Sequence, residues 1–304
     1  MEATPSDERA TLSDATRDLG GRLGRGVGMR AQPAMRAPTA SAQELFSLAS
    51  RVALVTGGGT GLGAAFAKGL VNAGASVVVC GRREAPLQET VRAIEDEFGP
   101  GRCHAVQCDL EEADAAARCV AEAAAHFGGA PTILVNNAGI NVRVPAAELT
   151  PAHWQQSLGL MLTAPSELAR ACAPAMKAAG YGRIINVASL QSTLAFPDSM
   201  PYAAAKSGVL GLTRALAEAY SPKHGYDGVT CNAIAPGYVR TELTAAVFAD
   251  EERAARLAAK TMAGRNSVPD DLVGPAIFLA SPAAAYVTGQ CLNVDGGFTA
   301  LGLS

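Results

Sequence analysis

The sequence predicts an α/β fold with one doubly wound domain, in which helices cover both faces of a seven-stranded parallel sheet. Seven short runs of β-branched and apolar residues end in turn residues, and most are separated by helix-like segments of roughly a dozen residues or more. The alternation continues without a reset from about residue 44 to the C-terminus. It therefore predicts one domain, although the length of 304 residues alone suggests about two. The predicted strands are RVALVTG (51–57), SVVVCG (76–81), CHAVQCDL (103–110), TILVNNAG (132–139), GRIINVAS (182–189), GVTCNAIAPG (228–237) and CLNVDGG (291–297).

Residues 1–43 differ from the rest of the chain. They contain RDLGGRLGRGVGMRAQPAMRAPTASAQ, which is rich in Gly, Arg, Pro and Ala and lacks hydrophobic periodicity. This composition predicts a mostly disordered N-terminal extension. The frequent arginines leave an organelle transit peptide open, and translation starting at Met29 or Met35 is a second alternative. Acidic side chains argue against a transit peptide. They are Glu2, Asp7, Glu8, Asp14 and Asp18.

Composition excludes several classes of function. Hydrophobic residues make up 49% of the chain and charged residues 17%, enough for a large buried core. The formal net charge of −3 favours neither nucleic acid nor an anionic membrane as a partner. The four histidines show no ligand spacing, which predicts no metal site, and no apolar run approaches the length of a membrane span.

The cysteines indicate the cellular compartment. There are seven, an odd number without C-x-x-C pairs, and no secretory signal accompanies them. This pattern predicts reduced thiols in a cytoplasmic protein. We expect each cysteine to act as a small buried hydrophobe rather than as a reactive group.

A glycine-rich turn follows the first predicted strand. The segment TGGGTGLGAAFAKGL places Gly57, Gly61 and Gly63 at the spacing G-x-x-x-G-x-G. Glycines let the backbone turn tightly and approach a pyrophosphate, and the N–H groups that open the next helix attract phosphate. Because the motif stands between a predicted strand and a predicted helix, it predicts dinucleotide binding in a Rossmann-like fold.

The end of the second strand indicates which dinucleotide binds. VVVCGRRE places Arg82 and Arg83 directly after Gly81, where a carboxylate would bind the ribose 2′-hydroxyl of NAD. Arginine instead suits the 2′-phosphate of NADP, because its planar donors pair with phosphate oxygens. The sequence therefore favours NADP over NAD. The alternative is a solvated arginine pair that opens the next helix.

Five features together resemble the short-chain dehydrogenase/reductase family. They are TGGGTGLG (56–63), NNAG (136–139), Ser189, YAAAK (202–206) and APGYVRTEL (235–243). The resemblance covers about 250 residues, nearly everything outside the extension. It implies an NAD(P)-dependent enzyme that interconverts a secondary alcohol and a ketone.

The resemblance also implies a set of cofactor-binding residues. Asp109 is expected to contact the adenine, and the residues of NNAG and of APGYVRTEL to line the cleft and flank the nicotinamide. The complete set is Gly57, Gly59, Thr60, Gly61, Leu62, Arg82, Arg83, Asp109, Leu110, Asn137, Ala138, Gly139, Tyr202, Lys206, Pro236, Gly237, Val239 and Thr241.

By the same resemblance, Ser189, Tyr202 and Lys206 are the catalytic residues. Tyr202 and Lys206 are four positions apart on a predicted helix and so face the same way. A phenol has a pKa of about 10, and a cation about 4 Å away contributes roughly 4 kcal/mol, or about three pKa units. We therefore expect Lys206 to lower the pKa of Tyr202 toward the range for general acid–base catalysis. Ser189 would hydrogen-bond the substrate oxygen.

The substrate is expected to lie beneath a helical insertion at about residues 240–268, which in this family closes over the substrate. The segments 136–150 and 264–298 look most like the gluconate 5-dehydrogenase branch and its sugar and polyol relatives. Arg143 is a candidate ligand for a substrate carboxylate, with an exposed loop arginine as the alternative, and Gln191 and Phe196 are expected to reach the pocket. A 3-oxoacyl-carrier-protein reductase remains the alternative activity.

One position departs from the family pattern. The family has an asparagine where this chain has Met161, which leaves open a cofactor-binding regulator without turnover. In the family the main-chain carbonyl at this position holds a water that connects the lysine to solvent. Pro165 has no N–H to bond the Met161 carbonyl, so we expect that carbonyl to stay free, with Ser157 one turn back to help hold the water.

The resemblance further implies a homo-oligomer, a tetramer or a dimer. Family members usually pair through two long helices and the C-terminal strand, which correspond here to about 151–179, 202–220 and 289–297. The two helical segments are rich in Ala, Leu and Met, which suits buried helix faces but also ordinary core packing.

Overall fold

A computed structural model describes residues 40–302 of the chain. Its seven-stranded sheet is parallel throughout and has the strand order β3-β2-β1-β4-β5-β6-β7, which confirms the predicted doubly wound fold. Each predicted run forms a strand. The strands are β1 (Val52–Thr56), β2 (Ser76–Gly81), β3 (Cys103–Gln107), β4 (Ile133–Asn136), β5 (Gly182–Val187), β6 (Val229–Pro236) and β7 (Cys291–Val294).

Helices connect the strands and cover the sheet. One segment between two of them, Gly159–Thr163, is a π-helical turn. The α-helices are α1 (Ala42–Phe46), α2 (Gly61–Asn72), α3 (Glu84–Phe98), α4 (Ala115–Phe127), α5 (Pro151–Leu158), α6 (Ala164–Ala179), α7 (Met200–Ala219), α8 (Ala245–Phe248), α9 (Glu251–Ala259) and α10 (Asp270–Ala280).

The core lies on both faces of the sheet. Successive strand side chains point to opposite faces, so Ala53 and Val55 pack into one cluster with residues of α2, α3 and α10, while Leu54 packs into the other with residues of α4, α6 and α7. Both faces of β1 are covered by helices, which explains why the strand is apolar at every core position.

The folded domain begins slightly earlier than the predicted boundary at residue 44. Ser41 caps α1, since its hydroxyl accepts from the Glu44 backbone N–H at 3.2 Å while its own N–H donates to the Glu44 carboxylate at 2.6 Å. This capping box sets the start of the helix. The prediction of disorder for residues 1–43 otherwise falls on residues 1–39, outside the described part of the chain.

The insertion between β6 and α10 is helical. The 3₁₀ turn Glu242–Thr244 and helices α8 and α9 lie between the end of β6 and α10. A parallel bridge between Val239 and Ser267 joins the two ends of the insertion. The insertion is therefore anchored to the same edge of the sheet at which β6 ends.

The structure bears on the expectations about membrane spans and cysteines. Within the described range, no helix is long and apolar enough to cross a membrane. The seven cysteines are free thiols, and six are buried as expected, whereas Cys291 on β7 is exposed.

Candidate active site

The carboxyl ends of the parallel strands meet at one edge of the sheet. The strand order reverses between β1 and β4, and ligands of open α/β sheets bind in the crevice at such a switch point. A cavity of about 470 Å³ lies there, and every predicted cofactor, catalytic and substrate residue lines it. The fold therefore brings these residues together in one crevice.

The glycine turn between β1 and α2 is shaped for close approach. Gly57 and Gly61 have φ values of +63° and +53°, in the left-handed region that favours glycine. A Cβ on Gly63 would lie 2.1 Å from the Gly57 carbonyl oxygen, so only glycine lets the turn pack against the helix. Thr60 caps α2 without a side-chain hydrogen bond, which leaves the N–H groups of the first turn facing the cleft.

Asn137 braces this turn from the neighbouring strand. Its side-chain amide donates to the Thr56 carbonyl at 2.9 Å and to the Gly57 carbonyl at 3.3 Å. The Thr56 hydroxyl accepts in return from the backbone N–H groups of Asn137 and Ala138, both at 2.9 Å. The NNAG motif thus fixes the two walls of the crevice across the switch point.

The two arginines after β2 have different surroundings. Arg83 forms a bidentate ion pair with Glu242 from the insertion, with nitrogen–oxygen distances of 3.1 and 2.9 Å. Among the described residues Arg82 takes part in no ion pair, although its carbonyl accepts from Gln107. Both guanidinium groups line the crevice, so Arg82 is the one available to an incoming anion.

Ser189, Tyr202 and Lys206 converge at the other end of the crevice. Ser189 follows β5, and Tyr202 and Lys206 lie in the first two turns of α7. Tyr202 and Lys206 are 8% and 4% exposed. The Lys206 ammonium donates to the Val187 carbonyl at 2.6 Å and lies 5.7 Å from the centre of the Tyr202 ring.

The electrostatics of the three groups correct one expectation. Burial raises the pKa of Tyr202, and only a hydrogen bond with Ser189 and the charge of Arg143 oppose this rise. Burial also lowers the pKa of Lys206 to about 8. The expectation that Lys206 lowers the pKa of Tyr202 is therefore wrong for the protein alone, because desolvation is the largest cause and Lys206 is not among the groups that oppose it. The Lys206 ammonium is instead bound to the Val187 carbonyl.

The substrate end of the cavity has an aromatic wall and two polar groups. The Phe196 and Tyr238 rings are 6.1 Å apart, and Tyr238 meets Phe298 at 5.8 Å. Gln191 is 6% exposed, and its side-chain oxygen accepts from the Ser199 hydroxyl at 2.6 Å. Its amide nitrogen is thereby left to donate into the pocket. Arg143 is exposed on the rim of the cavity.

The chain was compared with protein families and known proteins. A family model described as Enoyl-(Acyl carrier protein) reductase, of the short-chain dehydrogenase type, matches residues 57–299. The chain belongs to the short-chain dehydrogenase/reductase family. This finding confirms the resemblance carried by the five motifs.

Relatives within the short-chain dehydrogenase/reductase family act on sugar acids. The gluconate 5-dehydrogenase of Gluconobacter oxydans is 40% identical over 256 residues, which cover 84% of this chain and 97% of that protein. The 2-dehydro-3-deoxy-D-gluconate 5-dehydrogenase of Escherichia coli is 39% identical over 257 residues, 84% of this chain and 98% of that protein. A solved gluconate 5-dehydrogenase from Burkholderia cenocepacia, in complex with NADP and tartrate, is 38% identical and has a TM-score of 0.79, covering 86% of this chain and all of that one.

The departure at Met161 lies next to two of the predicted catalytic residues. Met161 is 1% exposed and packs with Tyr202 and Ala205. A Cβ on Gly139 would lie 3.4 Å from the Met161 sulfur and 3.8 Å from the Lys206 nitrogen, so both side chains flank Gly139. The methionine side chain therefore fills an apolar gap beside the lysine.

The backbone around Met161 is irregular, as expected for this family. In the π-helical turn Gly159–Thr163, the Ala164 N–H donates to the Gly159 carbonyl, five residues back. Pro165 follows within the first turn of α6. The Ser157 hydroxyl is fully buried and has no hydrogen-bond partner in the described part of the chain. A buried hydroxyl of this kind is a suitable partner for an ordered water, which is what the predicted relay needs.

Sequence reasoning missed the roles of two residues that line the cavity. Tyr238 and Glu242 both lie within the APGYVRTEL motif. Their position in that motif was a signal, but only the fold brings Tyr238 to Phe196 and Glu242 to Arg83. In the range 40–302 no cluster of His, Cys, Asp or Glu has a metal-binding arrangement.

Proposed function

We propose that this chain is an NADP(H)-dependent oxidoreductase that interconverts a secondary alcohol and a ketone on a sugar acid or a related small hydroxy acid. One observation carries the proposal: Ser189, Tyr202 and Lys206 meet in the cavity that the glycine turn and the two arginines also line. Sugar-acid relatives at 39–40% identity over nearly their whole length support the substrate class.

The described residues fit a dinucleotide phosphate. The turn leaves no room for a Cβ at Gly63, and the uncapped N-terminus of α2 presents N–H groups to phosphate oxygens. Arg82 would bind the 2′-phosphate at the far end. The NADP in the complex of the Burkholderia cenocepacia relative supports the same choice of cofactor.

The bound nicotinamide would supply or accept the hydride, and the chain's own residues would manage the proton. Tyr202 would donate its phenolic proton to the substrate oxygen during reduction and take it back during oxidation. The Ser189 hydroxyl would hydrogen-bond the same oxygen as charge develops on it. Lys206 would hold the site positively charged and pass protons toward solvent through the turn at Met161.

The rim of the pocket suits an acidic, hydroxylated substrate. Arg143 and Tyr202 line the same cavity, so Arg143 is placed to bind the carboxylate of a substrate whose reacting oxygen meets Tyr202. Gln191 would donate to a hydroxyl, and Phe196 and Tyr238 would pack against the carbon chain. The tartrate in the Burkholderia cenocepacia complex is a hydroxy acid of this chemical kind.

Turnover assays separate this proposal from its alternatives. The purified protein is given NADPH or NADH with three kinds of ketone: the keto acid formed by oxidising gluconate at carbon 5, a 3-oxoacyl thioester and a simple diketone. The proposal predicts the highest kcat/KM for the keto acid with NADPH. A preference for the thioester would identify a 3-oxoacyl-carrier-protein reductase, and tight NADPH binding without turnover of any ketone would favour a regulator.

We also propose a homo-oligomer, a tetramer or a dimer, located in the cytoplasm. The strand β7 supports the assembly, because Cys291, Leu292 and Asn293 are exposed on a strand that pairs on one side only, with β6. The seven free thiols support a reducing compartment.

A further inference from the structure

An ion pair between Arg83, just after β2, and Glu242, in the insertion after β6, lines the crevice. The two residues are 159 positions apart, and two parallel hydrogen bonds of 3.1 and 2.9 Å join the guanidinium to the carboxylate. Thr60, at the start of α2, lies close enough to Glu242 to contribute to the lowered pKa of its carboxyl group. All three residues line the same cavity as the candidate catalytic groups.

The carboxylate occupies the place where a 2′-phosphate is expected. In dinucleotide-binding folds, the residue about 20 positions beyond the glycine motif contacts the ribose 2′-substituent. Arg83 is 22 positions beyond Gly61. A guanidinium binds carboxylates and phosphates in the same bidentate geometry, so the oxygens of Glu242 take up the donors that a 2′-phosphate would use.

We propose that Glu242 is an internal competitor for Arg83, and that it weakens binding of the 2′-phosphate of NADP without affecting the unphosphorylated cofactor. The proposal rests on the proposed function, in which the site takes NADP. Arg82, which has no ion pair with any of residues 40–302, offers the first contact. The full contact with Arg83 forms only when the Glu242 carboxylate leaves.

The charge state of Glu242 is consistent with this role. Hydrogen bonds from Arg83 and then from Thr60 hold the pKa of the Glu242 carboxyl below its usual value, so the group is anionic at neutral pH. The pair is exposed, with 62% and 58% of the two side chains accessible to solvent. An exposed pair of this kind is weak and exchanges readily, as a displaceable competitor requires.

Removing the charge of Glu242 should strengthen binding of 2′-phosphorylated ligands only. Dissociation constants are measured by calorimetry for NADPH, NADH, 2′,5′-ADP and 5′-AMP. We expect Glu242→Gln to tighten NADPH and 2′,5′-ADP by up to about fivefold, the scale of an exposed ion pair, and to leave NADH and 5′-AMP unchanged. Glu252→Gln is the matched control, because Glu252 pairs with Arg256 on α9 and does not line the cavity. Unchanged or weaker NADPH binding by Glu242→Gln would overturn the proposal.

A second background separates competition for Arg83 from simple charge repulsion. The Arg83→Gln protein lacks the guanidinium for which Glu242 and the 2′-phosphate would compete. Adding Glu242→Gln to it should therefore not change the affinity for NADPH. A persisting gain in that background would contradict the proposal, since it would mean that Glu242 only repels phosphate. The ratio of NADPH affinity to NADH affinity in the unmodified protein tests the proposed cofactor separately. A preference for NADH would contradict the proposed function, whereas the change in NADPH affinity produced by Glu242→Gln tests the competition for Arg83.

Discussion

At the scale of single residues, neighbours in sequence have different roles because the fold gives them different partners. Arg82 and Arg83 were indistinguishable in the sequence, yet only Arg83 is paired with Glu242. The sequence places both directly after the second strand, and both line the crevice. It could not predict the pairing, because Glu242 is 159 residues away and no local pattern records that contact.

The unpaired arginine provides the first prediction. Replacing Arg82 with Ala should weaken NADPH binding by roughly 1.5–3 kcal/mol, the scale of a hydrogen bond to a charged group, and leave NADH nearly unchanged. Fluorescence titration of both cofactors measures the difference. Arg92→Ala serves as the control, since Arg92 is exposed on α3 outside the cavity. Equal losses for the two cofactors would show that Arg82 does not bind the 2′-phosphate.

The buried lysine provides a pH-dependent prediction. Burial lowers the pKa of Lys206 in the folded protein to about 8, from the ordinary lysine value of 10.5. Burying the ammonium therefore destabilises the folded protein below pH 8, and this penalty disappears as pH rises toward the unfolded-state pKa. Relative to the unmodified protein, Lys206→Met should become less stable by about 2 kcal/mol between pH 7 and pH 10. Urea unfolding without cofactor measures this change, and a pH-independent difference would contradict it.

At the scale of elements, the strands and the glycine turn were predictable because their signals are local. A buried parallel strand needs a continuous apolar run, and the turn needs glycine where a Cβ would collide, as at Gly63. The five-residue helix α1 was missed because it is too short to show periodicity, although Ser41 and Glu44 carried its capping box. The effect of burial on Tyr202 was missed because desolvation depends on packing that only the fold supplies.

The π-helical turn provides a prediction about the proton relay. If the backbone rather than the side chain at Met161 supports the relay, Met161→Asn should change kcat only a few-fold. Pro165→Ala should lower kcat more, because the new N–H can bond the Met161 carbonyl. Pro174→Ala is the control, since Pro174 lies inside α6 on an exposed position. Steady-state assays with NADPH and a ketone that the enzyme reduces give kcat. A hundredfold or greater gain for Met161→Asn, the low end of what a positioned proton donor or acceptor contributes, would show that the relay is broken in this chain.

At the scale of the whole molecule, the exposed edge of the sheet points to assembly. β7 closes one side of the sheet, and its Leu292 is 39% exposed beside the exposed Cys291. An exposed apolar edge strand is normally covered in a stable protein. We expect multi-angle light scattering at micromolar concentration to give twice or four times the monomer mass. A monomeric mass would contradict the proposed oligomer.

We propose that Tyr202 donates the proton during NADPH-dependent reduction of a keto acid. The most direct test is the single-turnover rate of NADPH consumption by the unmodified protein and by Tyr202→Phe, each saturated with NADPH and the keto acid. We expect the Tyr202→Phe variant to bind NADPH as tightly as the unmodified protein. Its single-turnover rate of NADPH consumption should be lower by at least about a hundredfold. A Tyr202→Phe protein that reduces the keto acid at the unmodified rate would contradict it.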